Sequence, residues 1–319
     1  MSLILRGIDF GSVIGASGVQ NIFGEGYPYH RVLKLMFPLG FRFNRMGFTA
    51  KTVTLNKNPG NMPLCSDGVT PQEIRPKCIF VNLRKGIALN AVGLSNHGIR
   101  YYLEQGKWQS RGDNFTISLM AIGKTEAERL EEINKFVEII LGYIRNFRGK
   151  ICLQINFSCP NVGLHLVKII NEVKQALDIA SEIGVPLVPK FNVLIHPDIV
   201  GEISRHKYCD AVCISNTIPW GMLPDKIDWK ELFGTDESPL KSLGGGGLSG
   251  APLLPIVIDW LERARCIVNK PIIAGGGILS AQDVKTLSYL RPAAVSLGTI
   301  AMVRPWRVQS AIRASHQYI

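Results

Sequence analysis

Residues 151–163 read ICLQINFSCPNVG, an apolar run with strand character that ends in a short polar loop holding Asn156, Ser158, Cys159 and Asn161. An apolar run of this length, closed by a turn, is the pattern of a buried strand. The segments on either side repeat one unit. Before it, a strand-like 115–121 leads into a helical 125–147. After it come helix 166–183, strand 186–193, helix 196–206 and strand 211–215. Farther on, a loop through 244–250 enters helix 253–265, followed by strand 271–274, helix 281–289, strand 293–297 and a last helix. Each helix carries one apolar stripe, such as Leu130, Ile133, Val137, Ile140, Leu141 and Ile144, the period of a helix lying on a sheet.

Toward the amino terminus, Leu3, Leu5 and Ile8 alternate with polar residues before a small-residue loop, IGASG at 14–18. Residues 29–37 read as a helix, and 47–55 (GFTAKTVTL) as a strand with one charge, Lys51, in its middle. Pro and Gly punctuate 56–84 (NPGNMP, DGVTPQ, RPKC), which predicts a loop and hairpin over the mouth of the fold that the later segments build. The apolar run 86–92, with Asn90 near its end, reads as a further strand before a turn at 93–96 and a helix at 97–104. About eight strand–helix units with no break in composition predict an α/β fold, a (β/α)8 TIM barrel, with 1–319 as one domain. No GxGxxG separates the first strand from the first helix, which argues against an open dinucleotide-binding sheet. In a barrel the polar residues closing the strands, Lys51, Asn90, Asn156, Lys190 and Asn216, converge on one pocket.

Composition narrows the setting. With 46% hydrophobic and 19% charged residues, the chain buries enough apolar surface to be a packed globular protein. Its net charge of +11 attracts anions, but the basic clusters are too short for nucleic-acid tails. Seven irregularly spaced cysteines, several inside apolar runs, fit free thiols in a reducing compartment. The six histidines form no ligand pattern, so no metal site is expected. With no membrane-length apolar stretch and no signal-type amino terminus, a cytoplasmic protein without an integral membrane segment is expected.

Two glycine clusters, Gly275-Gly276-Gly277 and Gly298-Thr299, follow the last two strands, and Gly250 precedes a helix. In barrels, loops at these positions bind phosphate, because free N–H groups point outward and glycine admits the oxygens; the plainer alternative is a tight turn. Lys51 and Lys190 lie inside apolar strands nearly free of Asp and Glu, so an anionic ligand is expected to meet them. Asn90, Asn156, Asn161 and Asn216 each offer a donor and an acceptor, which together suit a ring of alternating C=O and N–H groups. Singly, each would read as a turn residue. Cys159, between Ser158 and Pro160 in a loop, can act as nucleophile, base or acid, an unperturbed thiol titrating near ~8.5.

Taken in order, TAKTVTL with PGN behind it, LNAVGLSN, INFSCPN, the lysine of VPKF, SNT, GGLSGAP, IIAGGGI and VSLGT resemble the dihydroorotate dehydrogenase family over nearly the whole chain. The resemblance implies a barrel that binds flavin mononucleotide (FMN) and oxidises dihydroorotate to orotate in pyrimidine biosynthesis. By position, Cys159 is then the base removing the C5 proton while C6 gives hydride to flavin N5. Lys51, Asn90, Asn156, Asn161, Asn216 and Thr217, with the backbone of Gly93 and Leu94, would hold the substrate. Ala16, Gly18, Lys51, Asn156 and Lys190 would meet the flavin, and Gly250, Gly276, Gly277, Gly298 and Thr299 its phosphate. Cysteine at the base position is similar to the soluble class, whereas SNT and GGLSG look more like the membrane-bound class. The acceptor therefore stays open among fumarate, a quinone and a partner electron-transfer subunit, and the resemblance also implies a homodimer.

Three other readings compete. A dihydropyrimidine dehydrogenase-like reduction of uracil or thymine would use the same cysteine and asparagines. A tRNA dihydrouridine synthase would draw on the positive charge, but only about twenty residues follow the last strand, too few for a helical RNA-binding domain. A non-catalytic barrel holding a phosphorylated ligand is the third.

Overall fold

The computed structural model describes residues 2–157, 166–214 and 216–319. Eight parallel strands form its centre: Val13–Gly15, Phe48–Thr49, Phe115–Leu119, Ile151–Asn156, Leu187–Phe191, Val212–Ile214, Ile272–Gly275 and Ala294–Leu297. Each hydrogen-bonds to its neighbour in sequence from the second to the eighth, and the eighth pairs with the first. The first and second strands complete the ring through Gly15 N to Gly47 O (2.8 Å) and Gly47 N to Val13 O (2.9 Å). A sheet closed in this way has no open edge, and the expected TIM barrel is what forms.

Its elements follow from local chemistry. The third, fourth and fifth strands are buried at every position, as strands covered on both faces must be. Helix Glu126–Leu141 starts at a capping box, Thr125 accepting from Glu128 N while the Glu128 carboxylate accepts from Thr125 N. It buries Ile133, Phe136, Val137 and Ile140 and ends sooner than its periodicity implies, at Gly142, with a 3₁₀ turn at Ile144–Asn146 beyond.

A short hairpin, Ile4–Leu5 against Ile8–Asp9, closes the floor. Leu3, Leu5 and Phe10 pack there with Ile14, Cys152, Val188, Ala211, Cys213, Ile273 and Ala294. Arg6 fastens the hairpin to Asp210 at 2.9 Å.

Over the opposite end lies a second, antiparallel sheet in the order Ile218–Pro219, Gly247–Gly250, Ile87–Asn90, Ile79–Asn82. It corrects two expectations. Residues 86–92 supply a strand of this mouth sheet and none of the barrel, so the hairpin reaches past residue 84 to Asn90. The glycine run at 244–250 is only partly loop, because Gly247–Gly250 pairs with Ile87–Asn90. Glycine is a poor strand former, and only pairing with a segment some 160 residues earlier by sequence number makes it one here.

Helix Pro28–Met36 also sits at the mouth. The chain beyond it descends beside the last helix, Val308–Tyr318, with Gly40 O accepting from Gln309 N (2.9 Å) and Arg45 O meeting His316 Nε2 (2.9 Å). Among the described residues no helix is long and apolar enough to cross a membrane, and Cys65, Cys78, Cys152, Cys209, Cys213 and Cys266 are free thiols.

Candidate active site

Lys51 follows the second barrel strand, its backbone N–H donating to Asn21 O at 3.0 Å. Its side chain is buried, and the ammonium donates to the carbonyl of Ser95. That carbonyl is held in place by the insertion. Ser95 Oγ accepts from Met62 N (2.9 Å) and donates to Val92 O (3.0 Å), while Asn58 Nδ2 donates to Gly93 O (2.8 Å) and Asn61 Nδ2 to Ala91 O (2.7 Å). Burial pulls the Lys51 amine down from 10.5 to about 8, with the nearby Cys78 thiol acting in the opposite sense. The turn so fixed carries consecutive left-handed residues, Gly93 (φ 65°) and Leu94 (φ 58°). A leucine held there is strained, as residues at ligand clamps often are. Neither N–H donates to an acceptor among the described residues, and both residues line the central cavity.

Lys190 lies on the fifth strand, in register with Asn156 on one side and Cys213 on the other. It is buried on the cavity wall, and no hydrogen-bond or ion-pair partner for its amine is found among the described residues. Burial lowers its pKa, opposed by the Cys213 thiol. An amine placed there calls for an acceptor or an anion from a ligand. Beside it, Asn216 Nδ2 donates to Asn156 Oδ1 (3.2 Å), and Asn216 Oδ1 accepts from Thr217 N (2.9 Å). Asn90, on the mouth sheet, leans its amide toward Gly247 O at 3.4 Å.

The cavity these residues share measures about 480 Å³ and is mostly apolar between its polar points, the make-up of a cofactor site. Ala16, Gly18, Gly276, Gly277, Gly298 and Thr299 complete one end. The N–H groups of Gly276, Gly277, Gly298 and Thr299 enter no backbone hydrogen bond among the described residues. Gly277 (φ 77°) has to be glycine: a Cβ there would lie 2.3 Å from Leu254 N, in the first turn of helix Leu253–Ala264. Four amides with no backbone acceptor among the described residues, beside a helix start, fit a phosphate, and Lys190, without a partner among the described residues, fits the polar edge of a flavin ring. The residues present therefore suit FMN.

Of the described candidates, Gly250 alone lies off this wall. Its φ of 109° and its approach to Gly86 O, 2.2 Å from where a Cβ would sit, give it a structural place inside the mouth sheet. Cys159 and Asn161 lie outside the described residues. Three features on or behind the wall escaped the sequence reading. Tyr27 and Tyr29 stack with ring centres 5.6 Å apart, Tyr27 Oη donating to Gly18 O (2.8 Å), and burial pushes both phenols up. Glu73, from the insertion, is the one acidic residue on the described wall. Cys78 stands close enough to Lys51 to influence its charge. The prolines around Glu73 mark a loop, but nothing local marks what that loop faces.

A family model described as dihydroorotate dehydrogenase matches residues 38–313. The chain belongs to the dihydroorotate dehydrogenase family. Among its relatives, the catalytic subunit of dihydroorotate dehydrogenase B (NAD(+)) from Anoxybacillus flavithermus is 32% identical over 226 residues, 68% of this chain and 66% of the relative. The corresponding subunit from Endomicrobium trichonymphae is 27% identical over 301 residues, 92% of this chain and 83% of the relative. Among solved structures, the Eimeria tenella enzyme in complex with ferulenol superposes with a TM-score of 0.67 at 18% identity, covering 98% of this chain and 83% of that one. That likeness concerns the fold. Membership in the dihydroorotate dehydrogenase family makes the chain an FMN-dependent oxidoreductase acting on a CH–CH bond.

Proposed function

We propose that this chain binds FMN in the barrel mouth and oxidises dihydroorotate to orotate, as the step of pyrimidine biosynthesis its family performs, with 1–319 working as one domain. The observation that carries the reading is the meeting, in one cavity, of two buried lysines, an asparagine pair and two sets of amides without a backbone acceptor among the described residues. Bound FMN supplies the hydride acceptor.

Gly276, Gly277, Gly298 and Thr299 hold the phosphate through their N–H groups, and Ala16, Gly18 and Lys190 border the ring, with Asn156 between ring and substrate. The Gly93 and Leu94 amides take the substrate carboxylate with Lys51 and Asn90, and Asn216, Thr217 and Asn161 hold the pyrimidine. Cys159, as thiolate, takes the proton from C5 as hydride leaves C6, so a C–H pair is lost and a C=C bond forms. Electrons then pass to a partner subunit, a reading supported by relatives named as catalytic subunits of an NAD(+)-type enzyme. Free thiols fit a cytoplasmic setting, and a homodimer is the proposed state of the catalytic chain.

The test is anaerobic mixing with dihydroorotate. The purified protein should be yellow and should bleach, and Cys159→Ala should keep the colour but lose most of the bleaching rate. Equal rates in the two proteins would remove Cys159 from the base role. A flavin spectrum perturbed by uracil and left unchanged by orotate would move the activity to uncharged pyrimidines.

A further inference from the structure

A second cavity, of about 540 Å³, lies on the other side of the strands that carry Asn156 and Lys190. Successive residues of a strand point to opposite faces, so while Asn156 and Lys190 face the barrel mouth, Ile155 and Phe191 wall this outer space. Helices Glu126–Leu141, Leu166–Ala180 and Pro197–Ser204 close it with Ile133, Val173, Ala176 and Ile199. All six side chains are apolar and buried. Met120 and Asn156 border both cavities, yet the proposed reaction has no use for the outer one.

Its polar groups are few and mostly taken. Arg129 Nε and Nη2 donate to the Glu172 carboxylate at 2.6 and 2.7 Å, and Nη1 donates to Gly123 O (3.2 Å) and Lys124 O (3.3 Å). The pair ties the loop after the third barrel strand to helix Leu166–Ala180 and brings no net charge. Lys124 and His196 are exposed at the outer rim, and no other titratable side chain stands on the described wall. Asn192 differs. It is only 7% exposed, and its Oδ1 accepts from Leu194 N (2.9 Å), which leaves its NH₂ turned the other way with no acceptor among the described residues. A buried donor in this state calls for a partner. Water suits the space poorly, because a buried water needs about two to four polar partners and the walls are apolar.

We infer that this cavity is a second ligand site, which takes a neutral, largely apolar molecule carrying a carbonyl oxygen for Asn192 Nδ2. Its volume is that of a site for a small organic ligand. A charged ligand would lose its water without gaining a counter-charge, since Arg129 and Glu172 already hold each other. The ligand binds beside the flavin and the pyrimidine, not in their place, and the inference does not depend on the proposed reaction.

Nile red tests it, being a neutral fused-ring dye with a carbonyl whose fluorescence rises in apolar surroundings. Full-length flavin-loaded protein should bind a single dye per chain, and saturating orotate should not displace it. Ala176→Phe and, separately, Leu130→Trp fill the space and should each weaken binding by about tenfold or more, with flavin content and circular dichroism unchanged. Asn192→Leu, which removes the donor and keeps the bulk, should weaken it about three- to tenfold. Absence of saturable binding overturns the proposal. So does displacement by orotate, which places the dye in the first cavity, or unchanged affinity in both filled variants, which places it on the surface. Tighter binding of the anionic dye anilinonaphthalene sulfonate than of Nile red overturns the assignment of a neutral ligand.

Discussion

The carboxamides of Asn216 and Asn156 meet at 3.2 Å, joining the ends of the sixth and fourth barrel strands across the fifth. The direction of the bond is set by Thr217, whose N–H takes the Asn216 oxygen at 2.9 Å and so turns its NH₂ toward Asn156. A ligand therefore finds both amides already oriented. Asn216→Ala should raise the dissociation constant for orotate by about ten- to a hundredfold, the loss of one or two oriented hydrogen bonds, with flavin retained. Titration of the flavin spectrum checks this, and loss of colour in place of weaker orotate binding would assign the pair to the cofactor.

Lys51 is costly to the ligand-free fold, because its amine is driven from 10.5 to about 8 by burial. A depression of that size corresponds to about 3 kcal/mol. Lys51→Met should therefore raise the urea midpoint of the flavin-free protein while abolishing dihydroorotate-dependent bleaching. A variant that is both less stable and inactive would show that the carbonyl of Ser95 more than offsets the burial.

The same shift fixes two pH effects of opposite sense. Lys51 loses its charge as pH rises through about 8, so orotate affinity should fall by up to about tenfold per pH unit above that point. Stability of the ligand-free protein moves the other way. Between about 8 and 10.5 the folded state holds fewer protons at Lys51 than the unfolded chain does, so stability rises with pH across that window. Urea midpoints and orotate titrations at pH 7, 8 and 9 check both, and Lys51→Met should flatten both.

Lys190 has no protein partner to replace among the described residues, so Lys190→Met should fold well and lose flavin. The expected readout is pale protein whose colour returns only at added FMN about a hundredfold above the wild-type requirement. Full retention of colour after dialysis would remove Lys190 from the flavin site.

Gly277→Ala forces a Cβ to within 2.3 Å of Leu254 N at a left-handed φ. The seventh loop has to move away from helix Leu253–Ala264, which should cost about 1–3 kcal/mol and scatter the unused amides. Lower flavin occupancy together with a lower melting temperature is the expected pair of results.

The regular part of the fold was open to reading because it is local. From residue 115 onward each strand and helix announces itself by its own period, and buried lysines inside apolar runs stand out without any knowledge of neighbours. The hidden part depends on distant contact. Ile87–Asn90 has the same apolar pattern whether it joins the barrel or the mouth sheet, and its partner at Gly247–Gly250 decides. The candidate Gly250 follows from a helix start, whereas its tight fit beside Gly86 O comes from the distant sheet pairing. Tyr29, Glu73 and Cys78 gain their significance only once the insertion folds back over Lys51, a matter of tertiary geometry that no spacing encodes.

The floor hairpin bears on the order in which the molecule assembles. Leu3, Leu5 and Phe10 leave the ribosome more than 250 residues ahead of Ile273 and Ala294, which are among their packing partners. These residues must therefore wait, unburied, until the seventh and eighth barrel strands are made. Their docking belongs to the final stage of folding, along with closure of the ring between Gly15 and Gly47 and the arrival of His316 beside Arg45. A chain built this way acquires its cavity and its seal together, and a stalled nascent chain would present these apolar side chains to chaperones long before any ligand could bind.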